Sequence, residues 1–424
     1  MAATKTLFAP TVHCLRYFFI FSAILTSAYA TELEWKSLTS FNDVRHMRLI
    51  NDTLFIATSG GLLVNDYDNT SSPGSAFTNV DGLGTVDITD IIVDSAGQKW
   101  VTGKGRLLRF DYGTILPYLF FDQNNNLIKL HTAADVGDYL WVGTEIGLVL
   151  FSKIDDGGQI QDSYTLFDSL NPSPQVFDIC LDGDTIWLAT SAGLARADKS
   201  NPISLKSPSS WKTYDRIRYP ELGSDNFTGI VKFENTFYAG TSSGLYNLDR
   251  TAIDTFLIMP LGPTSPFSEI KVANDSLFFY SSGAYGVIKN AVTTALSFTG
   301  LPVRPESGIT NGVFRWANVR NTGIYQNSGG TFQVYPHSGM PLNATTDLTV
   351  DKQGNYTVGF QDGFGGRFQN NQWSKYKLGD FCTLAELDSS GNAWLGTFGN
   401  GIWRFDSGAP VKYDENNTTM RGNT

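Results

Sequence analysis

Along most of the chain, apolar positions alternate with polar ones over runs of five to seven residues, and Gly-rich turns break the runs; no stretch sustains a 3.6-residue period. Period two predicts short strands with two distinct faces and argues against a helical repeat. The runs are self-similar. NDTLFIATSGGLL (51–63), SAGQKWVTGKGRLLRFD (95–111), GDYLWVGTEIGLVLF (137–151), GDTIWLATSAGLARAD (183–198) and ENTFYAGTSSGLYNLD (234–249) share a turn, an aromatic, a small or Gly-Thr pair, then Gly-Leu and a short apolar strand. Weaker copies follow at 274–288, 311–325 and 352–368, with a strong last copy at 389–406.

The anchor aromatics of these nine units are Phe55, Trp100, Trp141, Trp187, Tyr238, Phe278, Phe314, Tyr356 and Trp394. Their mean spacing is about 42 residues, the length of a four-stranded propeller blade. The expected fold is an all-β propeller of nine repeat units, with seven to nine blades in the ring. Nine exceeds the usual four to eight, so a ring of seven or eight with blades left over is the rival arrangement. Each unit reads as an inner strand (Asp87 to Asp94 in the second unit), a strand carrying the aromatic, a strand after Gly-Leu, and an outer strand. Phe77, Tyr164, Trp211, Phe332 and Trp373 mark outer strands.

Blades diverge from a central axis, so the recurring aromatics should fill the space between neighbouring sheets. The glycines should supply positive φ in the turn between second and third strands. In Asp94-x-x-Gly97-x-x-Trp100 and Asp388-x-x-Gly391-x-x-Trp394 the Asp is expected to accept turn amides, a structural role.

The chain of 424 residues has 41 Asp and Glu against 31 Lys and Arg, a net charge of -10, which disfavours a nucleic-acid groove. With 41% hydrophobic and 13% aromatic content it has ample material for burial, which excludes wholesale disorder. Residues 1–30 read as an export signal: Lys5 and Arg16, an apolar run from Tyr17 to Thr26, then Ala28-Tyr29-Ala30. Ten apolar residues are too few to span a bilayer, and nothing later is longer. Residues 31–424 are then the propeller repeats of a protein exported to the periplasm or the cell surface.

Of the three cysteines, Cys180 and Cys382 follow the signal, each in an apolar strand-like run and far apart, as two free core thiols would be. His46, His131 and His337 have no metal-ligand spacing and read as loop or surface residues. Neither a metal nor another cofactor is expected. Asp122 to Asn126 lacks the Gly and Glu of a calcium loop and reads as an ordinary turn. Ligand binding by a propeller concentrates on the loops at one end of its channel. The longer loops carry Arg218, Tyr219, Arg304 and His337, a set suited to stacking on a sugar and bonding an acidic group; solvated loop residues are the plainer reading of each.

The D-x-x-G-x-x-W-x-G-T-x-x-G-L-x-x-F-D pattern, clearest at 388–406 and 182–198, resembles the two-component-regulator propeller repeat of bacterial periplasmic sensors. The segments 33–66 and 77–91 resemble the start of the N-terminal propeller of PorZ-type proteins, accessory components of the type IX secretion system of Bacteroidota. That resemblance implies a non-enzymatic binding or scaffold domain that recognises a surface glycan or a partner protein. A ligand-sensing propeller of a hybrid two-component regulator is the second expectation. A polysaccharide lyase or glycosidase is the third, weakened because Ile92 and Glu386 stand where sialidase Asp boxes have Ser, and Lys99 and Ala393 where they have Thr. Arg216, Arg218 and Arg304 are the only arginines offered for a carboxylate clamp. PorZ-type proteins are expected to continue into a second propeller and a C-terminal sandwich. The outer-strand-like segment Glu34 to Leu38 lacks a blade, so the chain is expected to be a fragment unless Trp35 closes a ring with the final unit.

Overall fold

In the computed structural model, the alternating runs form strands, and each group of four pairs as an antiparallel meander. The structure describes residues 36–424 apart from 69–73, 112–113, 253–254, 261–264, 283, 291, 311–313, 320–321, 336–338, 407 and 423–424. The segment 1–30 expected to be an export signal, which includes Cys14, therefore lies outside the described residues, as do Trp35 and His337. From Leu38 onward the chain forms one unit. Among the described residues it holds nine four-stranded sheets, blades 1 to 9, over 44–77, 88–119, 130–164, 176–214, 227–260, 267–295, 307–334, 345–377 and 382–413. The fold is an all-β propeller architecture.

Threonine explains why the second-to-third strand turn recurs. Thr58 Oγ1 donates to the Gly61 carbonyl at 2.7 Å and accepts the Gly60 amide at 3.0 Å. Thr144, Thr190 and Thr241 close their turns onto Gly147, Gly193 and Gly244 the same way. Gly61 has φ +134°, and a Cβ there would sit 2.3 Å from the Phe77 carbonyl oxygen of the outer strand. Both the backbone angle and the close approach require glycine.

The hydrophobic cores lie between blades. Trp100 packs with Leu140, Val149 and Phe151 of the next blade, Trp141 with Ile186 and Leu188, and Trp187 with Phe227, Phe237 and Ala239. Trp187 and Phe237 have ring centroids 4.8 Å apart. Two anchors differ from the sequence alignment. In blade 7 the equivalent residue is Trp316, fully buried and paired with Ile309, three residues before the Val319–Gly323 pair that ends the hairpin, as Phe55 stands three before the Thr58–Gly61 pair. In blade 8 the Asp351-x-x-Gly354 spacing puts Thr357 at the anchor position, one past Tyr356.

The ring closes with seven blades, not nine. Inner strands of successive blades 1 to 7 are neighbours, and the inner strand of blade 7 returns to that of blade 1. Ile309, Trp316, Ile324 and Tyr335 of blade 7 share one core with Val44, Met47, Leu54 and Ile56 of blade 1. The sheets meet through side chains, without a continuous hydrogen-bonded barrel. Blades 8 and 9 form a separate pair, packed on each other through Leu378, Cys382, Ala385 and Leu395. The link between ring and pair is fixed: Met340 N donates to Thr39 O at 2.7 Å, and Asn343 bonds the Ser40 backbone at both ends. The final unit thus neighbours blade 8 and does not close the ring.

Candidate functional site

The seven inner strands surround a central channel of about 820 Å³. Five of them carry a bulge near their start, between Val44 and His46, Ile88 and Asp90, Val176 and Asp178, Phe227 and Gly229, and Phe267 and Glu269, and a sixth has a matching irregularity at Thr132. A bulge re-aims the residue that follows. One layer of the channel wall is therefore His46, Asp90, Thr132, Asp178, Gly229 and Glu269. Arg48, Cys180 and Lys271 stand two residues further along their strands.

Two of these acids clasp neighbouring blades. Asp90 Oδ1 accepts the Ile91 amide at 2.7 Å and Oδ2 accepts Thr132 Oγ1 at 3.0 Å. Asp178 Oδ1 accepts the Ile179 amide at 2.8 Å, and Oδ2 reaches the Ile230 amide of blade 5 at 2.9 Å past the side-chain-free Gly229. Asp347 repeats the clasp from blade 8 to Ala385 of blade 9. The signal was present in the sequence as an Asp four residues before the turn Asp: Asp90 and Asp94, Asp178 and Asp182, Asp347 and Asp351.

The remaining charges are loosely matched. Lys271 Nζ bonds Glu269 Oε2 at 3.0 Å, whereas Arg48 Nη2 reaches Asp90 Oδ1 only at 3.5 Å. His46 Nδ1 lies 3.9 Å from Asp90 and Nε2 lies 3.8 Å from Glu269, beyond hydrogen-bond reach. Glu269 Oε1, Arg48 Nε and His131 Nε2 are buried without a hydrogen-bond partner. Burial lowers the His46 imidazole pKa despite Asp90 and Glu269, which favours the neutral ring. Burial and Lys129 bring His131 down to about 4. Burial pushes the Asp178 carboxyl up to about 7, and the Cys180 thiol to about 12. His46 and His131 are thus channel residues rather than loop or surface residues. Among the described residues, no group of three His, Cys, Asp or Glu converges on a metal position. The channel can hold a polar molecule by charge and hydrogen bonds; its one thiol is suppressed by burial.

The described loop residues singled out from sequence, Arg218, Tyr219 and Arg304, sit on links from outer to inner strands, at the end of the ring where the inner strands begin. Arg218 and Tyr219 occupy the link between blades 4 and 5. The Arg218 guanidinium bonds Asp168 at 2.7 Å and Thr213, and Tyr219 packs on Tyr214 with centroids 5.3 Å apart. Arg304 lies on the link between blades 6 and 7 and bonds the Ser282 carbonyl at 3.3 Å. Arg216 pairs with Asp225 at 3.0 Å. Arg218 and Tyr219 are adjacent, while Arg304 is held by a different blade. Asp122 caps an ordinary turn, accepting the Asn124 and Asn126 amides at 2.8 Å each.

No family model matches the chain, and no curated protein matches it. Among solved structures, PorZ, an essential bacterial surface component of the type-IX secretion system of Porphyromonas gingivalis, matches with a TM-score of 0.62 at 16% identity. The chain shares the PorZ propeller fold. The match covers 91% of this chain and 54% of PorZ, so the chain spans about half the length of PorZ. The extracellular domain of the putative hybrid two component system BT3049 from B. thetaiotaomicron matches at TM-score 0.48 and 17% identity, over 88% of this chain and 53% of that one. That of the putative one component system BT4673 matches at 0.38 and 15%, over 90% and 62%. PorZ and these extracellular propellers are the two groups that the repeat pattern resembles.

Proposed function

We propose that this protein is an exported, non-enzymatic propeller that serves as a binding or scaffold domain in a type IX secretion or cell-surface assembly of PorZ type, recognising a surface glycan or a partner protein. The observation that carries the reading is the likeness to PorZ over nine-tenths of the chain. No helix among the described residues is long and apolar enough to cross a membrane, which is compatible with export of the whole domain. The link end of the ring is the proposed recognition face, with Arg218, Tyr219 and Arg304 as its contacts; His337 is kept as a candidate contact from the sequence, outside the described residues. Loops held by a rigid scaffold are where such contacts concentrate.

Deleting the gene and following export of type IX cargo tests the assembly role: loss of export, restored by the wild-type gene, supports it, and unchanged export overturns it. Arg304→Glu tests the face. Loss of complementation with normal protein level places recognition at the links, and full complementation removes Arg304 from the contact set.

A further inference from the structure

The ring channel is built like a ligand site, independent of any role in secretion. Its volume of about 820 Å³ falls in the range of small-molecule pockets. The polar atoms on its wall are incompletely used. Glu269 is nine-tenths buried, yet only Oε2 has a hydrogen-bond partner; Oε1 has none, with His46 Nε2 standing 3.8 Å away. On blade 1, Arg48 offers an unpartnered Nε, and its best ion contact is the long 3.5 Å approach to Asp90. Leaving a buried donor or acceptor unmade is costly, so the wall favours a molecule that supplies the missing groups.

The chemistry of the unmet atoms sets the class of that molecule. Glu269 Oε1 needs a donor, and Arg48 Nε needs an acceptor. Acids and bases share the wall: Arg45, Arg48, Lys129 and Lys271 line it together with Asp90, Asp178 and Glu269. A simple anion would meet three carboxyl groups, and a simple cation would meet Arg48 and Lys271. A neutral sugar would want aromatic faces to stack on; Phe177 is the one aromatic ring in the wall, and it is already in edge contact with His131 at 5.0 Å. The geometry points to a small zwitterion, an amino acid or dipeptide, with its ammonium toward Glu269 and its carboxylate toward Arg48.

The test is calorimetric titration of the purified protein with each proteinogenic amino acid and with glycylglycine, alongside acetate and methylamine as half-ligands. Saturable binding of at least one zwitterion is expected, with acetate and methylamine at least tenfold weaker. Glu269→Gln and Arg48→Lys should each weaken that binding tenfold or more, while their circular dichroism spectra stay those of the wild type. Arg48→Lys keeps the charge and removes Nε, so it separates recognition from loss of a structural cation. The proposal is overturned if no zwitterion binds, if acetate or methylamine binds as well as the best zwitterion, or if both folded variants bind unchanged.

Discussion

Trp316 Nε1 donates a 3.0 Å hydrogen bond to the carbonyl of Tyr67, joining positions 249 residues apart. This bond sits where blade 7 meets blade 1. Tyr335 reinforces it from the same side: its hydroxyl accepts the Gly74 amide at 3.1 Å and lies 3.3 Å from Asn65 Oδ1. Elsewhere neighbouring blades are also neighbours in sequence, so only this junction sets the ring size.

Trp316→Phe removes the bond and leaves the Tyr67 carbonyl buried, and should cost about 1–3 kcal/mol. Trp316→Ala also opens a cavity, and should cost about 3–5 kcal/mol. Denaturant unfolding measures both; midpoints unchanged from wild type would show that the ring does not depend on this closure.

Lys153 joins blades 2 and 3, bonding Asp94 at 2.9 Å and Asp135 at 2.7 Å with 9% of its side chain exposed. Burial alone would lower its pKa, but hydrogen bonds to Asp135 and Asp94 outweigh that and raise it. For Asp94 burial acts upward, yet bonds from Lys153 and Trp100 hold the carboxyl below its usual value. The aspartate contribution is therefore present above about pH 4 and is lost as pH falls through the folded value; the lysine contribution is present below about pH 10 and is lost as pH rises past the folded value. Lys153→Met strands two buried carboxylates and should cost about 3–5 kcal/mol at neutral pH. The deficit should shrink in acid, as unfolding curves at neutral pH and near pH 3 would show; an equal deficit at both would contradict the assignment.

Asp178 carries the opposite sign. Its folded carboxyl keeps its proton to about pH 7, whereas an unfolded aspartate releases it near 4. Between these values the folded state binds more protons, so Asp178 makes stability fall as pH rises. Carbon-13 NMR of labelled aspartate carboxyls should show a resonance with a midpoint near 7 that vanishes in Asp178→Ser. All aspartates titrating below pH 5 would refute the burial argument.

The strands, the turns and the blade length were legible because each repeats: nine copies average out the noise of any one. Where a copy deviates, the alignment slipped. Blade 7 offers both Phe314 and Trp316 as aromatics, and only the strand register, which pairs Trp316 with Ile309, selects between them; blade 8 has Thr357 where others carry an aromatic. There Arg367 supplies what the indole supplies elsewhere, donating to Asp351 at 2.8 Å as Trp394 Nε1 donates to Asp388 at 2.9 Å. Ring size was not legible, since it depends on the long-range fit of Trp316 and Tyr335 against blade 1. The residues that line the channel were not legible for a related reason. His46, Arg48, Asp178 and Glu269 are scattered over more than 200 residues and converge only when bulges aim their strands inward.

The two thiols give a direct check on burial. Cys180 and Cys382 are both unpaired, and burial raises both, Cys180 to about 12. Since the thiolate is the reactive form, native protein at pH 8 should resist iodoacetamide at both positions, and both should react once unfolded in guanidinium. Mass spectrometry distinguishes them, and rapid native labelling of Cys180 would mean that burial does not suppress its thiolate.

Blades 8 and 9 present inner strands of a different character. Leu348, Val350 and Leu384 are each more than two-fifths exposed on strands whose counterparts in blades 1 to 7 surround the channel. The pair is packed on itself and tied to the ring through Met340 and Asn343, both of which precede blade 8. A chain ended after Ala344 should therefore keep the seven-blade ring, with the melting transition of the ring moved by no more than a few degrees. Failure of the shortened chain to fold would mean that blades 8 and 9 support the ring through more than the link.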